Sequence, residues 1–114
     1  MYKELKSYNT STEMGYVYIL YNPESELVKI GKTKSPQKRF SALSHQSGSK
    51  LKYYITEPMY IETLIERIMH NKYNKYRVKG EWFKGVEFDG VKNELIELCN
   101  CEDFKRRNKI KEAN

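Results

Sequence analysis

Four side chains in this 114-residue chain stand out for the chemistry they could do together: Tyr18, Lys29, Arg39 and Glu66. A single carboxylate with water around it suits a hard divalent cation such as Mg²⁺, which keeps much of its hydration shell. The competing chemistries fail on spacing. Ile30-Gly31-Lys32-Thr33 ends like a phosphate-binding P-loop, but that motif needs glycine where Glu26 stands, and no G-x-G-x-x-G occurs. Cys99 and Cys101, with only His45 and His70 elsewhere, fall short of a tetrahedral zinc pattern. Those two histidines support no Ser/His/Asp set, and the two cysteines read as free thiols.

The four side chains need elements to hold them. Tyr16 to Tyr21 is apolar on both alternating faces and rich in β-formers, which predicts a central strand covered on both sides. Asn22-Pro23-Glu24-Ser25-Glu26 carries turn chemistry and Leu27 to Ile30 resumes the strand pattern. The two runs therefore read as an antiparallel hairpin with a five-residue loop, its second strand ended by Gly31. Ser35-Pro36 opens a short helix whose apolar pair is Phe40 and Leu43. Arg39 lies about 40° from Leu43 around that helix, within reach of the core edge. Leu51 to Thr56 is a third strand candidate ended by Pro58.

Ile61, Leu64, Ile65, Ile68, Met69, Tyr73 and Tyr76 recur at helical spacing, predicting one long helix. Glu66 falls about 100° from the centre of that stripe, at a flank where a carboxylate can face a cleft. His70 falls nearly opposite the stripe. Trp82 and Phe83 read together as an apolar anchor against the sheet, with a base-stacking platform as the alternative that exposed aromatics beside basic residues would support. Val91, Leu95, Leu98 and Cys99 predict a last amphipathic helix. The expected fold is α+β, a three-stranded antiparallel sheet flanked by helices. Its expected divisions are a polar lead over 1–14, one domain over 15–101 and a basic tail over 102–114.

Lysine and arginine number 21 against 15 acids, a net charge of +6, and the cations cluster. Residues 29–39 hold five with no acid, residues 67–79 hold five more with none, and KRRNKIK stands near the C-terminus. Such clustering favours a polyanionic partner. The longest strongly apolar run is Tyr16 to Tyr21, far short of the roughly 20 residues that cross a bilayer. A cytoplasmic or nucleoid-associated protein is expected, with no membrane partner and no nucleotide cofactor.

In order and spacing, Tyr16-Val17-Tyr18, Lys29-Ile30-Gly31-Lys32-Thr33, Arg39, Glu66-Arg67-Ile68-Met69-His70 and Glu81-Trp82-Phe83 resemble the GIY-YIG endonuclease superfamily. The likeness is to its phage-type branch and spans residues 15 to 85. The resemblance implies a metal-dependent DNA endonuclease in which Glu66 holds Mg²⁺ or Mn²⁺ and Arg39 neutralises the scissile phosphate. Tyr18 would help deprotonate the attacking water, with positive charge from Lys29 offsetting a free phenol's pKa of about 10. His70 would orient a water or touch phosphate, and Lys32 would contact the DNA backbone. Lys34, Lys38, Arg67, Arg77 and Lys79 are the further phosphate contacts expected from the basic blocks. Lys29 stands where the superfamily has a second tyrosine, and its late asparagine has no counterpart placed here. A non-catalytic DNA-binding module on the same scaffold is therefore the alternative.

Overall fold

The computed structural model describes residues 13–38 and 51–113. Arg39, the expected apolar pair Phe40 and Leu43, and most of the polar lead lie outside the described residues. Strands β1 (Tyr16–Asn22) and β2 (Leu27–Thr33) form the hairpin, antiparallel, with Tyr18 opposite Gly31 and Leu20 opposite Lys29. The turn is one residue tighter than expected because Asn22 still pairs with Leu27. Asn22 also closes the turn, its carbonyl accepting from the Glu26 N–H and its Oδ1 from the Glu24 N–H. A helical turn begins at Pro36, and residues 36–38 are its described part.

Strand β3 (Lys52–Ile55) runs antiparallel along the other edge of β1. Thr56 fastens it there by accepting the Val17 N–H on its hydroxyl at 3.1 Å. Helix α1 (Glu62–Lys72) follows, then a 3₁₀ turn (Asn74–Tyr76), strands β4 (Arg77–Lys79) and β5 (Trp82–Lys84), and helices α2 (Phe88–Cys99) and α3 (Glu102–Ala113).

The α+β class holds, but the sheet has five strands rather than three, in the order β3-β1-β2-β5-β4. The difference arises after α1. The apolar spacing out to Tyr76 suggested continued helix, yet the chain tightens into the 3₁₀ turn and returns as the β4–β5 hairpin on the free edge of β2. Tyr73 and Tyr76 keep their inward side across that change, packing on each other with centroids 6.5 Å apart. Consequently β1 is an interior strand, as expected, but β2 holds the middle of the sheet.

One face of the sheet carries the core. Val17, Ile19, Val28, Ile30 and Phe83 meet Ile65 and Met69 from α1 and Val91 and Leu95 from α2, all essentially buried. Each such side chain contributes roughly 1.5–3 kcal/mol by leaving water. Alternation sends Tyr18, Leu20, Lys29 and Gly31 to the opposite face. Glu62 in the first turn of α1 is buried and paired with Lys34 at 3.2 Å. Gly15 makes room for it, since a Cβ there would sit 2.4 Å from its carboxyl. Among the described residues no helix is long and apolar enough to cross a membrane.

Candidate functional site

The site is built where β2 outruns β5. The Ile30 N–H points to the β5 side and donates to the Glu81 carbonyl at 3.0 Å, the last rung before the chain turns away through Gly80. The Ile30 carbonyl lies on the same side of its strand. It finds no backbone donor there, and instead accepts from His70 Nε2 at 2.7 Å. Since a carbonyl only accepts, this bond places a proton on Nε2. The imidazole also sits edge-on to Phe83, with centroids 5.4 Å apart. His70 is thus half-buried and pins α1 to the sheet.

That bond sets the position of Glu66, one helical turn earlier on the same face of α1. Its Oε2 is shut off from solvent and has no hydrogen-bond partner among the described residues. Burial, and next the nearby Glu81 carboxylate, push the Glu66 carboxyl above the usual glutamate range, while His70, Lys32 and Lys29 pull it back down. Five ionisable side chains from α1, β2 and the β4–β5 turn therefore share one neighbourhood.

Gly31 is its floor. A Cβ at this position would lie 2.6 Å from the Tyr18 hydroxyl and 2.9 Å from Glu81 Oε1, so glycine lets the phenol and the carboxylate approach the same strand segment. The expectation that Gly31 ends the strand fails for that reason: β2 runs on to Thr33. Tyr18 is fully buried. Lys29 Nζ stands 3.9 Å from Glu81 Oε1 and over the rings of Tyr18 and Trp82, at 5.9 and 5.7 Å from their centroids.

The structure thus sets Tyr18 and Glu81 against Gly31, with Lys29 beside both, and brings Glu66 and His70 of α1 within electrostatic reach of Lys29 and Glu81, while Arg39 lies outside the described residues. Sequence reasoning used Glu81 only as part of the Glu81-Trp82-Phe83 motif. Its place depends on the long-range pairing of Lys29 with Trp82, which no local periodicity encodes. Of the expected phosphate contacts, Lys38, Arg67 and Lys79 are exposed. Lys32 donates to Thr63 Oγ1 at 2.8 Å, and Lys34 to the Glu13 carbonyl and the Glu62 carboxylate. Arg77 is exposed but bonds Asn74 Oδ1 and the Gly80 carbonyl, with its guanidinium 5.2 Å over Phe83. Among the described residues no three His, Cys, Asp or Glu side chains gather at metal-binding spacing. A cation here would rest on one or two carboxylates plus water and substrate oxygen. Mg²⁺ accepts such a set, and the hard, unpartnered Oε2 of Glu66 fits it.

A family model, that of the T5orf172 domain, matches residues 15–103. The match covers most of the chain, so the chain belongs to the T5orf172 family, a phage-associated family of nuclease-like, DNA-related domains. This corrects the assignment suggested by motif order, because no model of the GIY-YIG superfamily matches. Short motifs such as K-I-G-K-T and E-W-F were individually too brief to separate the two. Comparison with curated proteins and with solved structures gives no match.

Proposed function

We propose that this chain is a metal-dependent DNA endonuclease that hydrolyses phosphodiester bonds. The observation that carries the reading is the buried carboxylate oxygen of Glu66, without a hydrogen-bond partner among the described residues and set among the charges of Glu81, His70, Lys32 and Lys29. Glu66 would hold Mg²⁺ or Mn²⁺, and the bound ion would supply charge stabilisation to the scissile phosphate and the leaving 3′ oxygen. The Lys29 ammonium, 5.9 Å from the centroid of the Tyr18 ring, can take a non-bridging phosphate oxygen. Tyr18 would accept the proton of the attacking water. His70, held by the Ile30 carbonyl, orients α1 and with it the Glu66 carboxylate. DNA is the partner that the family and the clustered cations support.

The burial of Tyr18 favours a second reading, a DNA-binding module that does not cut, since a phenol shut off from solvent meets no water until the site opens. Plasmid nicking separates the two. Wild type and Glu66→Ala would each be assayed with Mg²⁺, with Mn²⁺ and with chelator, beside a filter-binding salt titration. The nuclease reading expects metal-dependent nicking that disappears in Glu66→Ala while DNA binding persists. Binding with a steep salt slope and no nicking under either metal would leave the binding module.

A further inference from the structure

The neighbouring aromatics Trp82 and Phe83, expected to anchor the chain together, part company in the structure. Phe83 pairs with Val28 and is fully buried in the core. Trp82, one residue earlier on the strand, points to the opposite face and stays half-buried. Its register partner on β2 is Lys29, whose ammonium lies 5.7 Å from the indole centroid. Its register partner on β4, across a bulge, is the exposed Lys79, and the exposed Lys84 follows two residues along on the same face. An indole among three lysines, beside the candidate active site, combines a sequence-tolerant π surface with cations at phosphate-contact range. That is the composition of a stacking platform on single-stranded nucleic acid. A core anchor would have no use for the lysines.

We propose that Trp82 stacks on an unpaired nucleobase of the DNA strand whose phosphate reaches Lys29, which makes it a substrate-positioning residue. This inference rests on the nuclease reading for its choice of strand. The interaction is with the base, so it has a signature that phosphate attraction lacks: it vanishes when the bases are removed and is indifferent to salt.

Trp82 is the one tryptophan in the sequence, so its fluorescence reports on this position alone. The full chain would be titrated in chelator, where nothing is cut, with a thymidine strand of about twelve nucleotides and with an abasic strand of the same phosphate count. The thymidine strand should quench the tryptophan and bind roughly tenfold more tightly than the abasic one. By anisotropy of a labelled strand, Trp82→Leu should lose that preference at an unchanged salt slope, and Trp82→Phe should recover most of it. Equal affinity of wild type for the two strands, with an unquenched tryptophan, would overturn the proposal whether or not the leucine variant folds. The nuclease reading fails separately: it falls if no nicking occurs in Mg²⁺ or Mn²⁺, even where quenching and the preference for bases are intact.

Discussion

At the scale of single residues, an ionised Glu66 works against its own fold. Burial and the Glu81 carboxylate disfavour its charge, so the folded chain binds this proton more tightly than the unfolded chain does. The sign follows. Any stability contributed by this site is fully present below the ordinary glutamate range, about pH 4, and is lost as pH rises through the higher folded value. Glu66→Gln keeps the shape and drops the charge. In the absence of divalent metal it should unfold at a higher denaturant concentration than wild type at pH 7, and the two midpoints should converge near pH 3. Urea titrations across that range check it. A variant weaker than wild type at pH 7 would mean that the Glu66 charge is compensated by a partner beyond Lys29, Lys32 and His70.

At the scale of elements, α3 has more to do than the expected basic tail. Phe104 packs against the core, and Asn108 Oδ1 accepts the Tyr60 N–H at 2.7 Å, just ahead of α1. Because α1 has no side-chain cap of its own, that bond from a helix 48 residues away ties the entry of the Glu66 helix to the end of the chain. Asn108→Ala should therefore cost about 0.5–1.5 kcal/mol in chemical denaturation and speed amide exchange at Tyr60. No change in either would return α3 to the status of an appendage. The same contrast shows what was legible beforehand. The β1–β2 hairpin could be read because Tyr16 to Tyr21 and Leu27 to Ile30 are buried in patterns that local composition reveals. Strand β4 could not, since Arg77, Val78 and Lys79 are all exposed, and what joins them to the sheet is backbone pairing with β5 and the Arg77 guanidinium over Phe83, neither of which leaves a local apolar pattern. Tyr18, Lys29 and Glu66 were visible as chemical types on periodic elements. Glu81 and the inward Glu62 were not, because each owes its place to partners far along the chain, Lys29 for one and Lys34 for the other.

At the scale of the whole molecule, the net charge of +6 is not uniformly available to a polyanion. Lys34 faces the buried Glu62 carboxylate at 3.2 Å and donates to the Glu13 carbonyl, so its charge is balanced inside the fold. Lys79, on the outermost strand of the sheet, is exposed and stands opposite Trp82. Two lysines from the same basic composition should then fail in different ways when neutralised. Lys34→Gln leaves a buried carboxylate without its cation. It should cost roughly 1–2 kcal/mol of stability, less than a fully buried pair because Lys34 itself is half exposed. The dependence of its DNA affinity on salt should stay as in wild type, provided the measurement is made where the variant is folded. Lys79→Gln should leave the denaturant midpoint within error and lower the slope of log K against log salt by about one, as expected for one lost phosphate contact. Filter binding over a range of salt concentrations, paired with urea titration of each variant, reads both quantities. If Lys34→Gln lowers the slope as Lys79→Gln does, the Lys34–Glu62 pair opens on DNA, and the electrostatic surface that meets the nucleic acid includes the base of α1.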